Sequence, residues 1–457
     1  MRITQKQIIA IVIAMLELLA LLSIVLIHRG LSLTQMAELS IVQVVYNTLL
    51  LKYFCKMPFV SLPSGFLILS FIFHCGQIIK SAFDIDGFVP MSFENYASTL
   101  IIQDAFLFYC LAQTMYVIGI ILHSNDSKYY NTDVIAEEEK ETWKYGKVFL
   151  LIGIGPRLYI DVSSMLGALA QGYEGVYSLY FPQFLQTLAF FFDAGLIFLL
   201  VGTKAYSKQH KFVFILTIIY KSIMMMSGSR QYNVVFLLVW VYLYAYILHK
   251  VTFKKQILAF SIGFLGFVFI SMIGMFRSSN VVSVADMSYF IEQFSLETIL
   301  GNALGEYGSA FNTLIVSVNY TPDTIYYGLG RSYVAGFFSV IPLLVAQIPS
   351  LHEAAIFLTQ LPKSIVYSFG GSYLGELYYN FSWLGIFPCI YLGIWLCKIN
   401  NALLYNDDVM KKSWYAIIGV LLILFIRGYF SDMMQKIAWV YIILYWLRIN
   451  KKVKFRI

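Results

Sequence analysis

The sequence predicts an all-α, polytopic integral membrane protein, and three observations carry that expectation. Of its 457 residues 59% are hydrophobic and only 12% charged, with a mean hydropathy of +0.73, far outside the composition of soluble domains. Apolar runs recur at the length a bilayer requires, roughly 16 to 24 residues. Basic residues alternate between successive loops, as they do when Lys and Arg set orientation. A formal net charge of +7 dispersed among apolar runs does not resemble a nucleic-acid footprint. Cys55, Cys75, Cys110, Cys389 and Cys397 lie unevenly in or beside apolar stretches, so neither a disulfide framework nor a zinc site is indicated.

Twelve candidate spans follow in order: 7–27, 37–54, 61–80, 99–122, 147–168, 182–203, 212–227, 231–249, 256–276, 377–398, 413–428 and 432–449. The first follows Arg2 and Lys6, is longer than a signal-peptide core and lacks a small-x-small cleavage site, so it reads as an uncleaved span. With the N-terminus placed in the cytoplasm, alternate loops hold 19 of the 23 lysines, which puts both termini on the cytoplasmic side. The segment 124–147, with Glu137, Glu138, Glu139 and Glu141, reads as a solvated cytoplasmic connector. Three regions result: 1–276 with nine spans, a large outward (periplasmic) loop at 277–371, and 372–457 with three spans and a basic cytoplasmic tail. Inside the loop, 286–318 has helical periodicity, and 331–348 is apolar but broken by Gly336 and Pro342. Both read as surface-lying or re-entrant helices, and counting both as full spans raises the total to fourteen.

The two cations are sorted differently. Only three of the nine arginines fall on the cytoplasmic side in this topology, so orientation explains the lysines and leaves the arginines. A guanidinium presents a planar fork for bidentate contact with phosphate and stays charged on desolvation. A charge inside a membrane segment is costly unless it is paired or faces a cavity. The candidate pyrophosphate ligands are therefore Arg157, Lys221, Arg230, Arg277, Arg331 and Arg427. Arg157, Arg230, Arg277 and Arg427 each have a second reading. Arg157 stands four residues before Asp161 and makes either an ion pair along the helix or a ligand clamp. Arg230 closes a Gly228-Ser229-Arg230 turn, or snorkels at the interface. Arg277 and Arg427 stand at span ends, and Arg331 lies in Gly328-Leu329-Gly330-Arg331-Ser332, where glycines let backbone approach a ligand.

Sugar transfer to a hydroxyl gains from a base near the attacking oxygen. Glu376 is the first candidate for that catalytic role, with Tyr373, Tyr378 and Asn380 around it as candidates for positioning an acceptor sugar. Its other reading is a structural partner that holds an arginine in place. His352, next to Glu353, is the second candidate base. Glu17, Asp104 and Asp193 lie inside spans and read as structural partners or pore-lining groups. No phosphate-cradling Gly-x-x-x-x-Gly-Lys loop, no His-Glu-x-x-His and no outward Asp-x-Asp appears, so the expected sites are cationic, without metal or cofactor.

The many spans, the single large outward loop late in the chain, the Gly228-Ser229-Arg230 turn and the run from Ser372 to Phe381 resemble bacterial O-antigen polymerases of the Wzy type. The resemblance in architecture covers nearly the whole chain, while its local motifs are short. It implies a GT-C-like membrane glycosyltransferase of the bacterial inner membrane. Such an enzyme moves a growing glycan from undecaprenyl pyrophosphate onto an incoming lipid-linked repeat unit, among membrane lipids, with a chain-length regulator and a flippase as partners. An O-antigen ligase using the same donor, and a flippase or exporter of lipid-linked saccharides, remain alternatives.

Overall fold

The computed structural model describes residues 4–27, 30–87, 89, 92–124, 136–177, 179, 181–203, 207–225, 230–248, 295–341, 344, 347–362, 369–405 and 408–454, and among these there is no strand. The chain divides into two compact units: 1–128 with 296–401 and 422–434, and 129–295 with 402–421 and 435–457.

The first unit opens with α1 (Gln5–Ile27), α2 (Leu33–Phe54), α3 (Leu62–Ala82) and α4 (Thr99–His123). Ser32 starts α2 with a reciprocal cap to Gln35, and Ser61 caps α3 ahead of Pro63. Apolar all round, α4 is buried along almost its whole length, as such a helix must be. Glu17 Oε1 of α1 accepts from neutral donors of its neighbours: Gln43 and Asn47 of α2 at 2.9 and 3.1 Å, and Thr114 of α4 at 2.9 Å. The later elements are α9 (Leu296–Tyr307), α10 (Ala310–Tyr320), α11 (Arg331–Phe338), α12 (Pro349–Ala355), α13 (Tyr373–Phe381) and most of α14 (Pro388–Tyr405). Gly119 and Gly393 set the crossing of α4 and α14, since a Cβ on either would lie 2.0 to 2.2 Å from a backbone oxygen of the other helix.

In the second unit α5 (Ala136–Tyr177) lies antiparallel to α6 (Gln183–Val201), followed by α7 (Lys208–Met224) and α8 (Arg230–Tyr242), which runs on into a π-turn at Leu243–Leu248. Glycines explain the closeness of the first pair. Gly146 and Gly153 of α5, two turns apart, meet Leu199 and Phe192, while Gly195 of α6 meets Leu150. Small residues on one face are how membrane helices bring their backbones together. The chain ends with α15 (Val409–Phe425) and α16 (Phe430–Lys454).

Helices stand at every expected span except 256–276, which lies outside the described residues together with Arg277. Five described helices are long and apolar enough to cross a membrane, six if a bent pair counts as one. That bent pair corrects the expected span at 377–398. It consists of Tyr373–Ile386 and Pro388–Tyr405, meeting at 97°. Ser382, held at φ 52°, and Pro388, which cannot continue the preceding hydrogen-bond ladder, stop the helix where hydropathy alone runs on. The expected span at 147–168 is likewise part of a longer helix of 42 residues, about 63 Å at 1.5 Å per residue. In the segment expected to form the outward loop, 296–320 forms two helices rather than one, divided at Gly308 and Ser309.

Candidate functional site

Two turns in the first unit carry arginines, and one buried carboxylate holds both turns. The first is Gly328-Leu329-Gly330-Arg331, in which Leu329 and Gly330 adopt φ of 48° and 87°. That left-handed pair turns three successive N–H groups onto the end of α13. Gly328 and Leu329 donate to the carbonyls of Tyr379 and Asn380 at 2.9 and 3.0 Å, and Gly330 donates to Asn380 Oδ1 at 3.0 Å. The turn thereby caps carbonyls that a helix C-terminus leaves without partners. Gly328 has no substitute here, because a Cβ would lie 2.5 Å from the Tyr379 ring. The second turn, 427–430, joins α15 to α16. It rests on Gly370 and Gly371, where a Cβ on Gly371 would meet the Gly428 carbonyl carbon at 2.5 Å.

Glu376 lies between these turns, fully buried in the first part of α13. Its Oε1 accepts the Ser332 hydroxyl at 2.6 Å, and its Oε2 accepts the Phe430 N–H at 2.9 Å. One turn further on, Asn380 donates to Ser332 Oγ and to the Glu376 carbonyl, each at 2.8 Å. Ser332 follows Arg331 directly, and Phe430 comes three residues after Arg427. One side chain therefore fixes the backbone from which both guanidinium groups extend. Arg331 is exposed. Arg427 is half-buried and donates to the Glu306 carbonyl at 3.2 Å, a cation at the C-terminal end of α9.

The start of α13 is anchored from beneath. The Ser372 hydroxyl accepts from Gly375 N–H at 3.2 Å and is 3.0 Å from His74 Nε2. Because His74 Nδ1 faces the Ser70 carbonyl at 2.9 Å, that nitrogen carries the proton and Nε2 accepts from Ser372. Tyr373 bonds Gln113 and Ser70 at 2.9 and 3.1 Å. From α10, Ser317 donates to the Gly375 carbonyl at 2.7 Å and Thr313 to that of Gly370 at 2.6 Å.

The remaining candidates fall elsewhere. His352 and Glu353 are exposed on α12, which seats Ala354 and Ala355 against Ala335 of α11. No hydrogen bond joins His352 to Glu376 among the described residues. Tyr378 is buried against Phe108 and Trp383, Tyr373 is buried in its polar contacts, and Asn380 is fully engaged in holding the arginine turn. Among the described residues no group of three or more His, Cys, Asp or Glu is placed to hold a metal ion.

In the second unit, Arg157 and Lys221 belong to a buried network. Arg157 Nε contacts Asp161 Oδ2 at 2.8 Å, its NH1 approaches Asp193 Oδ2 at 3.7 Å, and Lys221 Nζ contacts Asp193 Oδ1 at 2.5 Å. Tyr232 donates to Asp193 at 2.5 Å, and Tyr220 donates to Asp161. Arg230 begins α8, with its side chain outside the described residues.

A model of the family described as O-antigen polysaccharide polymerase Wzy matches residues 7–455. The chain belongs to that family. No curated protein and no solved structure matches it. As a Wzy protein it is a membrane-embedded polysaccharide polymerase acting on lipid-linked oligosaccharides, and the expected resemblance is confirmed over nearly the whole chain. Residue-type reasoning singles out Arg331, Arg427 and Glu376 in this Wzy chain, but not Ser332, Phe430 and His74, which the structure places in contact with the same elements. Ser332 stands beside Arg331 in sequence, whereas the Phe430 contact is a backbone donor and leaves no trace in residue type.

Proposed function

We propose that this polymerase transfers a growing glycan from undecaprenyl pyrophosphate onto an incoming undecaprenyl-pyrophosphate-linked repeat unit at the periplasmic face of the inner membrane, with both termini in the cytoplasm. The acceptor hydroxyl oxygen bonds the donor's anomeric carbon. The carbon–oxygen bond to pyrophosphate breaks, and the hydroxyl proton passes to the departing pyrophosphate or to water. Arg331 and Arg427 grip the pyrophosphate and offset the charge that develops as it leaves, where one preorganised contact is worth about 3 kcal/mol of barrier. Arg230 and Arg277 remain proposed pyrophosphate ligands. Arg157 and Lys221, matched by Asp161 and Asp193, hold helices together instead.

The observation that supports this reading is the tie between two arginine-bearing turns made by Glu376. With both oxygens accepting hydrogen bonds, Glu376 acts as a positioning residue. Tyr373, Tyr378 and Asn380 shape the walls behind it. His352 is the remaining side chain proposed to orient an acceptor hydroxyl.

The test uses the full chain in liposomes with short-tailed lipid-linked repeat units. Wild type builds a glycan ladder. Arg331→Ala abolishes it with thermal unfolding unchanged, Arg427→Ala abolishes it with no more destabilisation than the loss of its bond to Glu306, about 1 kcal/mol, and the Lys variants restore it in part because the bidentate fork is absent. Normal ladders from both Ala variants overturn the arginine assignment. Translocation without chain growth by wild type overturns the reaction and favours an exporter.

A further inference from the structure

The elbow of α13 and α14 encloses an apolar cavity of about 520 Å³, within the range of small-molecule sites. Its wall along α14 runs from Pro388 to Lys398, ten residues or about 15 Å, roughly half the hydrocarbon thickness of a bilayer. Leu377, Cys389, Leu392 and Phe425 supply apolar surface between. Tyr391 and Trp395, one turn apart on α14, form an exposed rim at 74% and 46%. On a helix within a membrane protein, such a rim faces lipid.

The inner end adjoins the arginine turns. Tyr333 is two residues from Arg331, and its ring stacks on Phe381, the last residue of α13, at 5.9 Å and meets Phe430 edge-on at 5.0 Å. All three line the cavity, and Phe430 is the residue whose N–H binds Glu376. The Tyr333 hydroxyl is buried without a hydrogen-bond partner among the described residues, an arrangement that calls for an acceptor. The cavity thus offers hydrocarbon surface along its length, a lateral opening toward lipid, and an unpartnered tyrosine hydroxyl at the end lined by Phe381 and Phe430.

We propose that this crevice seats the isoprenoid tail of a lipid pyrophosphate, with the head-proximal units under Tyr333 and the remainder leaving past Tyr391 and Trp395 into the bilayer. The assignment rests on the transfer reaction proposed above. It makes tail length a determinant of substrate use, because only a tail reaching along α14 fills the crevice. A single-isoprene tail leaves most of it empty, and the burial of each further methylene adds to affinity.

The experiment compares kcat/KM of the full chain in nanodiscs for repeat units carried on long and on very short polyprenyl pyrophosphates. In wild type the long tail is favoured. Leu392→Trp, which fills the crevice, lowers the ratio of long-tail to short-tail kcat/KM by at least about tenfold, the scale of roughly two methylenes losing burial. An unchanged ratio overturns the proposal. Independently of turnover and folding of the variant, a diazirine-bearing polyprenyl phosphate without sugar labels the α14 stretch 389–395 of wild type. Excess polyprenyl phosphate competes for that labelling, and phosphatidylglycerol does not. Equal competition by both lipids identifies an ordinary lipid seat and overturns it, as does labelling elsewhere. If wild type builds no polymer from any tail, the transfer reaction fails, while the labelling still decides the crevice.

Discussion

Two buried acidic centres among the described residues use their charge in opposite ways. In the second unit, Asp161 and Asp193 face Arg157 and Lys221, so two anions and two cations cancel inside the helix packing. In the first, Glu376 is equally buried, yet its oxygens are met by a hydroxyl and a backbone N–H. Among the described residues no carboxylate pairs with Arg331. Charges matched one for one within low dielectric brace a structure and have little left for a ligand. A carboxylate satisfied by neutral donors fixes backbone while the guanidinium beside it stays available to an anion.

The sharpest way to break that contrast is to remove the shared acid of the first-named network. Asp193→Ala leaves Lys221 buried beside Arg157 without its carboxylate, and breaking a buried pair costs about 3–5 kcal/mol. The expected result is a large drop in thermal unfolding temperature in detergent and loss of folded protein. Asp193→Asn combined with Lys221→Met removes both charges together and restores most of the stability and the glycan ladder. A stable, folded Asp193→Ala protein that lacks only polymer would place the network in substrate binding.

Next in size is the tie between the arginine turns. Ser332→Ala leaves Glu376 Oε1 without its donor and Asn380 without one of its acceptors, at about 1–3 kcal/mol for a buried polar group left unsatisfied. Polymer yield should fall with the loosened turn while the long-range fold persists. Circular dichroism reads the fold and the ladder reads the turn. If Ser332→Ala polymerises like wild type, the geometry of Arg331 does not depend on Glu376.

Much of this division was legible in the sequence, and the reason differs by residue. Arg157 and Asp161, four apart on a helix, offer an ion pair through their spacing, with a ligand clamp as the equal alternative. Arg331 after Gly328 and Gly330, and Glu376 in a run of small and aromatic residues, mark places where backbone comes close. Asp193 as the common partner of Arg157 and Lys221 was not legible, because it requires the register of α5, α6 and α7 against one another. The elbow between Ile386 and Pro388 was missed for a related reason: hydropathy counts apolar residues and is blind to the break in the hydrogen-bond ladder at Pro388. The expected span 377–398 therefore ran straight through a 97° bend.

A smaller effect separates positioning from proton transfer at Glu376. Glu376→Gln keeps size and shape. The amide oxygen can accept from Phe430 N–H, and the amide nitrogen can donate to Ser332 Oγ, so both turns stay tied. A positioning residue then retains activity within about tenfold, whereas losing a general base costs about 10²–10⁴. A hundredfold fall in the rate of Glu376→Gln, with unfolding temperature unchanged, would assign Glu376 to the proton.

His352 gives the smallest expected change and closes the comparison. It is exposed on α12, and that helix touches α11 through Ala354 and Ala355 rather than through the imidazole. His352→Ala should therefore leave thermal stability within about 0.5 kcal/mol, as for a surface substitution away from any packed feature. Its effect on the ladder measures only what the ring does to the acceptor hydroxyl. Orientation by a single hydrogen bond predicts a fall of less than about tenfold. A loss of a hundredfold or more, rescued in part by added imidazole, would make His352 the base. Glu376 would then be purely a tether, and the two buried acids would be alike in supporting structure while the chemistry lay with exposed residues.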